Sequence, residues 1–339
     1  EIGRKIKLRS YQRAVIDEIH ELIEGGKSQF LIEMATGLGK TYTAAHLVRE
    51  VMGKLDHDNC RVLFVAHQVE ILKQSVTAFK NVMGIGRYTF SACFGGADPE
   101  QTDFVFASFD TLHMKLNELA PDSFSIIVID EAHHTPASTY SKVVEHFAPQ
   151  LLLGLTATPF RADERDVLRL FGGDDTHVGR YDLAWALRHN KLAHPLYKVL
   201  LDDLDQSRID QLRAGLSVAD LDSKLFLHKK DEEVIRQIEA AAAEQGTETT
   251  KGIVFCRNIA HVEHLLLCFP PGSATMVHSR MDGHQRHRNL RAFRDGTYRY
   301  ILTCNLFNEG IDIPETNLLV FLRHTGSRTI WLQQLGRGL

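Results

Sequence analysis

From residue 29 onward, short apolar runs alternate with amphipathic stretches. QFLIEM (29–34), RVLFVAH (61–67), DFVFAS (103–108), SIIVID (125–130) and LLLGLT (151–156) are apolar almost throughout. That is how a parallel strand covered on both faces reads. Helical periodicity fills the gaps at 41–53, 68–80 and 138–147, and strand alternating with helix predicts a mainly parallel α/β sheet. The pattern then repeats. KGIVFC (251–256), SATMVH (273–278), YRYILT (298–303) and NLLVFL (317–322) predict strands, with helices after the first run and at 282–295. A helix at 231–244 is expected to lead into this second unit. The charged stretch before it carries little strand pattern, so the expected division is 1–200, a linker at 201–230, and 231–339.

Composition narrows the classes. The chain has 339 residues, 44% hydrophobic and 24% charged, with a formal charge of −4. It is too apolar for a disordered chain, and it is not a protein that binds nucleic acid through bulk positive charge. Any nucleic-acid site must be a local patch. No apolar run approaches the length of a membrane span. Five cysteines without a CxxC pair and a charged start with no apolar core predict a reducing, cytoplasmic setting. The first residue is Glu rather than Met, which leads us to expect a longer parent chain. Of the 18 histidines, the pairs His261/His264 and His284/His287 stand at i,i+3 spacing. No cysteine or carboxylate pattern visible in the sequence completes a zinc site with them, so solvated helix faces are expected there.

Residues 34–41 read Met-Ala-Thr-Gly-Leu-Gly-Lys-Thr between a predicted strand and a predicted helix. Backbone N–H groups and a helix N-terminus together attract anions. Gly37 and Gly39 would let the backbone wrap a triphosphate, Lys40 would reach the β- and γ-phosphates, and Thr41 would hold Mg²⁺. Met34 stands where the strict phosphate-loop pattern has a glycine, but the TGLGKT core is intact. Asp-Glu-Ala-His (130–133) follows the strand SIIVI. Asp130 is assigned to Mg²⁺ and Glu131 to polarising the attacking water. Arg337, in the last residues, is the candidate arginine finger. With Arg337 in the second unit and Lys40 in the first, ATP would bind in a cleft between them.

These elements resemble a superfamily 2 helicase of the DEAH-box kind, and within it the helicase module related to type III restriction subunits. The resemblance runs through LRSYQ (8–12), MATGLGKT, FVAHQVEILKQ (64–74), FASFDTL (106–112), DEAH (130–133), LTATPFR (155–161), IVFCRN (253–258), TCNLFNEGIDIP (303–314) and QQLGRG (333–338). It implies two RecA-like domains. It implies adenine contacts at Arg9 and Gln12, and nucleotide contacts at Thr36, Gly310 and Asp312. Coupling roles fall on His133, Thr156 and Thr158. Positions matching nucleic-acid contacts are His67, Gln68, Ser108, Thr111, Arg257, Asn258, Thr303 and Asn308, with chemistry suited to gripping phosphates without reading bases. For each of the small polar residues, helix capping is an equally good explanation.

Two departures shape the expectation. Motif VI of the family usually ends in a second arginine one residue past Leu339, so the chain is expected to stop within or just after a motif. No separation hairpin is visible between motifs V and VI, which favours translocation or remodelling over autonomous unwinding. The leading expectation is a Mg-ATP-driven, nucleic-acid-stimulated translocase, with DNA favoured over RNA and 3′ to 5′ polarity by resemblance. Restriction, repair or phage defence would be the setting, and a nuclease or other flanking domain the partner. The alternatives are an RNA helicase or duplex-RNA-stimulated ATPase, and a binding module without turnover. Intact Lys40, Asp130, Glu131 and Arg337 argue against the last of these.

Overall fold

The computed structural model describes residues 7–54, 60–84, 86–93, 101–130, 142–143, 145–157, 168–193, 231–246, 250–304 and 316–322. The chain divides into two compact units, Glu1–Leu192 and Ala193–Leu339. Each is built on its own sheet, and every described strand pairing is parallel.

The first unit opens with α1 (Ser10–Glu24) and β1 (Gln29–Met34), followed by α2 (Lys40–Met52), β2 (Val62–Ala66) and α3 (Val69–Met83). Next come β3 (Phe90–Cys93), β4 (Phe104–Ser108), α4 (Phe109–Lys115), β5 (Ile126–Asp130) and β6 (Leu151–Thr156). It closes with β7 (His177–Tyr181) and α5 (Leu183–Arg188), and the strand order is β3-β4-β2-β5-β6-β1-β7. In β2, β4, β5 and β6 every residue is buried. Side chains alternate between faces along a strand. One face stacks Phe64 on Phe106 (5.3 Å between ring centroids) with Phe79 of α3 edge-on to both. The other gathers Leu63, Val65, Val105, Ile127 and Ile129. Each such side chain contributes about 1.5–3 kcal/mol on burial, so the double cover holds the central strands.

The five strands expected in this unit are all present. Two more, β3 and β7, are edge strands with partly exposed residues. An edge strand needs only one apolar face, so neither has the continuous apolar run that marks its neighbours. Helix α1 was not anticipated as a helix; its apolar face, Val15, Ile16 and Ile19, is fully enclosed.

The second unit begins with α6 (Asp231–Gln245) and continues through β8 (Gly252–Phe255), α7 (Ile259–Cys268), β9 (Ala274–Val277), α8 (Gly283–Arg294), β10 (Tyr300–Thr303) and β11 (Leu318–Phe321). Its sheet runs β11-β8-β10-β9. Ile235, Ile238 and Ala242 of α6 and Val262 and Leu265 of α7 pack with Val254 and Leu302 on one face. Leu290 and Phe293 of α8 pack with Ile253, Phe255 and Ile301 on the other. The expected helix at 231–244 is α6. The linker stretch 201–230 and half of the helix expected at 138–147 lie outside the described residues.

All five cysteines are free. Among the described residues no helix is long and apolar enough to cross a membrane.

Candidate nucleotide site and basic pocket

In an open parallel sheet, ligands gather beyond the carboxyl ends of the strands. In the first unit that edge carries the nucleotide motifs. β1 is flanked by β6, and β6 by β5, with Glu33 level with Thr156 and Leu155 level with Asp130. The loop after β1, Thr156 and Asp130 therefore stand on three adjacent strand ends. At a strand spacing of about 4.8 Å, the loop's strand lies about 10 Å from that of Asp130.

The loop has the shape its glycines predict. Gly37 and Gly39 hold φ of +86° and +82°, a left-handed conformation costing other residues about 1–2 kcal/mol. A side chain at Gly39 would meet the Gln12 amide nitrogen at 2.5 Å, and one at Gly37 would meet Leu192 at 2.9 Å. Gly39 ends the loop and caps α2, whose first residues are Lys40 and Thr41. The Lys40 ammonium donates to the Met34 carbonyl at 3.1 Å, directed across the loop. Thr36 is half-buried, and Asp130 is only 5% exposed at the end of β5. A buried carboxylate facing the same edge as a lysine and a helix N-terminus is suited to a divalent ion on a phosphate chain.

α1 is bolted to this loop. The Gln12 side-chain nitrogen donates to the Leu38 carbonyl at 2.9 Å, while its oxygen accepts from the Arg9 N–H at 2.8 Å. The Tyr11 hydroxyl donates to the same Leu38 carbonyl at 3.1 Å and accepts from Arg9 Nη1 at 3.0 Å. One end of the Gln12 amide thus supports the loop while the other caps α1. Tyr11 also meets Tyr181 and Trp185 edge-on, at 5.8 and 5.6 Å between centroids. This aromatic cluster was not singled out in the sequence, because Tyr11 of α1 is more than 160 residues from Tyr181 of β7 and Trp185 of α5.

Other positions expected to touch nucleic acid divide by exposure. Ser108 is the N-cap of α4: its hydroxyl accepts from the Thr111 N–H at 3.3 Å and donates to the Thr111 hydroxyl at 2.9 Å. Thr111 is 2% exposed and Thr303 fully enclosed, so neither presents its hydroxyl to a passing strand in this conformation. His67 and Gln68 are half-buried at the start of α3, with the His67 ring 4.8 Å from Phe109. Thr156 is buried beneath the nucleotide edge. Glu131, His133, Thr158, Asn308, Gly310, Asp312 and Arg337 lie outside the described residues.

Among the described residues, the corresponding edge of the second unit has no glycine loop. It has a cavity of about 410 Å³ lined by Arg257, Asn258, Ile259, Ala260, Ser279, Arg280 and Cys304. Asn258 caps α7, accepting from the His261 N–H at 2.8 Å. The cavity therefore combines a helix N-terminus with two guanidinium groups, which suits a phosphate. Arg257 and Asn258 were expected here. Ser279 and Arg280 were not, since they follow β9 with no motif around them.

The histidine reading needs correction. His284 and His287 are exposed on α8, as a solvated face requires. His261 is only 8% exposed and its Nε2 lies 4.0 Å from Asp231 Oδ1. It is a buried histidine, covered because α6 packs over α7.

Two α/β units whose described strand pairings are all parallel, one with a phosphate-loop edge and one with a basic edge, have the build of a nucleotide-driven nucleic-acid module. Residues 5–161 match the family described as "Type III restriction enzyme, res subunit", and residues 207–339 match "Helicase conserved C-terminal domain". The chain belongs to the superfamily 2 helicases, with a type III restriction-like helicase module. It is 26% identical over 352 residues to IRC3 of Saccharomyces cerevisiae, named as an ATP-dependent helicase, covering 98% of this chain and 49% of that one. It is also 26% identical to DNA 3'-5' translocase XPB2 of Sulfurisphaera tokodaii, over 99% of this chain and 79% of that protein. Among solved structures, a fragment assigned as the HsdR subunit of a type I restriction enzyme from Vibrio vulnificus YJ016 has a TM-score of 0.67. That match is 21% identical and covers 97% of this chain and 60% of the fragment. The chain thus spans about half the length of IRC3.

Proposed function

We propose that this chain is the motor module of a DNA translocase that couples Mg-ATP hydrolysis to movement along a strand. The observation that carries the proposal is the shared strand edge of Lys40, Thr156 and Asp130, with left-handed Gly37 and Gly39 shaping the loop between β1 and α2. Phosphoryl transfer depends mainly on positioning and charge stabilisation. The loop's N–H groups and Lys40 would hold the β- and γ-phosphates, and Thr41 and Asp130 would hold Mg²⁺, which would supply charge neutralisation. Glu131 orients the attacking water, and Arg337 supplies the finger. The adenine is read at Arg9 and Gln12, beside the loop that Gln12 supports through Leu38. Gly310 and Asp312 are further nucleotide contacts. His133, Thr156 and Thr158 relay the state of the γ-phosphate.

The strand is gripped through its phosphates. Arg257, Asn258 and Arg280 line the second unit's cavity, with His67, Gln68 and Asn308 as further contacts; Ser108, Thr111 and Thr303 support the backbone that carries them. DNA is favoured over RNA because XPB2, of which this chain covers 79%, is named a DNA translocase. The same likeness favours 3′ to 5′ polarity. The full protein acts in restriction, repair or phage defence.

The test is steady-state ATP hydrolysis at fixed low salt, compared without nucleic acid and with single-stranded DNA, duplex DNA or RNA, using Lys40→Ala as the blank. DNA-specific stimulation lost in the variant supports the proposal. Stimulation by RNA alone would overturn the choice of DNA. ATP binding without turnover under every condition would overturn the motor.

A further inference from the structure

Away from both strand edges, three side chains of mixed chemistry meet where α6 crosses α7. Asp231, His264 and Cys268 present their ligand atoms within 4.8 Å of one another. His264 Nε2 lies 3.0 Å from Asp231 Oδ2. His264 and Cys268 are separated by four residues on one helix, so they share a face. Asp231 is the first residue of α6, only 8% exposed, and both oxygens are addressed: Oδ2 by His264 and Oδ1 by His261 at 4.0 Å. The His261 Nδ1 accepts from the Arg257 N–H at 3.5 Å, which leaves its Nε2–H directed to the carboxylate. Ligating carboxylates commonly have an outer polar partner of this kind nearby.

We propose that Asp231, His264 and Cys268 form a binding site for a borderline-soft divalent cation of the zinc type. One carboxylate oxygen, one imidazole and one thiolate are the donor set such an ion takes, and a tetrahedral site with bonds of about 2.0–2.3 Å places its donors about 3.3–3.8 Å apart. The present separations need only side-chain adjustment to reach that. As the metal–sulfur bond forms, the Cys268 thiol releases its proton to solvent. Three protein ligands leave one position for water, and the part-exposed His264 and Cys268 give the ion its route in. Asp231 comes from α6 and the other two ligands from α7, so the bound ion clasps the first helix of the second unit to its neighbour. The sequence showed only half the site. The two histidines stand out as a pair, but the carboxylate is 33 residues from His264 in the chain, and Cys268 belongs to no cysteine motif.

The experiment is titration of the metal-free full chain with Co²⁺ as a spectroscopic probe for zinc, followed by zinc competition. One equivalent of Co²⁺ is expected to give tetrahedral ligand-field bands and a thiolate-to-cobalt charge-transfer band, both erased by Zn²⁺. Cys268→Ser should remove the charge-transfer band, and His264→Ala should weaken zinc binding by at least about 100-fold, the upper end of what even supporting partners contribute. His284→Ala with His287→Ala should change neither. Zn²⁺ should also raise the thermal midpoint of the wild-type chain and leave that of Asp231→Asn unmoved. Absence of saturable one-to-one binding by the wild type would overturn the proposal whatever the variants do. So would a charge-transfer band that survives Cys268→Ser, since another thiol would then hold the ion.

Discussion

The two units carry the same architecture to opposite ends of phosphate chemistry. Each is a parallel sheet covered on both faces, with its loops at the carboxyl edge. At the first edge the proposed phosphate site is built largely from backbone: two left-handed glycines and a helix N-terminus, with one lysine and one buried aspartate, Asp130. At the second the proposed site is built from side chains: Arg257 and Arg280 beside the Asn258-capped end of α7. A backbone cradle fits one compact triphosphate and fixes its geometry. Guanidinium groups on a cavity rim accept any phosphate that passes and let it go. The difference teaches that sheet order sets where ligands arrive, and a few residues at the strand ends decide whether the ligand is a fuel to be cleaved or a track to be held.

The sharpest way to break this division is to remove charge from the first edge. Lys40→Ala and Asp130→Asn should each lower nucleic-acid-stimulated turnover by about 100- to 1,000-fold or more, the usual loss when a stabilising group is taken from a charged transition state. Strand binding without ATP should be unchanged. Loss of DNA binding in Lys40→Ala, measured by fluorescence anisotropy, would show that the edges are not separate in function.

Next in size is a pair of glycine substitutions. Gly39 and Gly272 have nearly the same φ, +82° and +79°, but only at Gly39 does a new side chain meet a neighbour, the Gln12 amide at 2.5 Å. Each variant to alanine should lose about 1–2 kcal/mol of stability from the left-handed backbone. Gly39→Ala should in addition weaken ATP binding about tenfold or more, by displacing the Gln12 bond to Leu38, whose loss is itself worth about 1 kcal/mol. Nucleotide titration separates the two. Equal ATP affinities would mean that α1 does not shape the loop.

On the second edge, Arg257→Ala and Arg280→Ala should each weaken DNA binding roughly evenly across sequences. Each should also shrink the slope of log affinity against log salt by about 0.7–0.9 if it holds one phosphate. ATP affinity without DNA should not move. An unchanged salt slope would remove the cavity from the track.

These experiments bear on what the sequence could show. The covered strands were legible because double burial demands an unbroken apolar run, as in Ile126–Asp130. Edge strands β3 and β7 were not, since their open sides relax that demand. The phosphate loop was legible because its glycines, lysine and threonine must be consecutive. The Tyr11–Tyr181–Trp185 cluster, Arg280 and the partners of His264 were not, because each acts through neighbours supplied by the fold rather than by the chain. Ser108 shows a third case: its residue type was consistent with cap or contact, and the hydrogen bonds to Thr111 place it in a cap.

The smallest effect concerns how each unit fastens a helix. In the first, Arg13 of α1 forms a two-pronged pair with Glu50 of α2 at 2.7 and 2.9 Å, with His20 3.0 Å from the same carboxylate. In the second, Arg299 reaches Glu239 of α6 through one nitrogen, at 3.2 and 3.3 Å. The Arg13 hydrogen bonds hold the Glu50 carboxyl below its ordinary range; partial burial opposes them and His20 adds to them. A depressed carboxyl stabilises the folded chain fully above the unfolded value and loses that contribution as pH falls through the folded one. Glu50→Gln should therefore destabilise the chain at pH 7 by under about 1 kcal/mol, because Arg13 is partly solvent-screened. The deficit should shrink as pH drops below the normal glutamate range, where wild type loses the same charge. Glu239→Gln should cost less at pH 7, its pair being longer and single-pronged. Urea midpoints of the three proteins at pH 7 and in acid decide the matter. A Glu50→Gln deficit independent of pH would mean that the substitution acts through lost hydrogen bonds and packing rather than through the Glu50 charge.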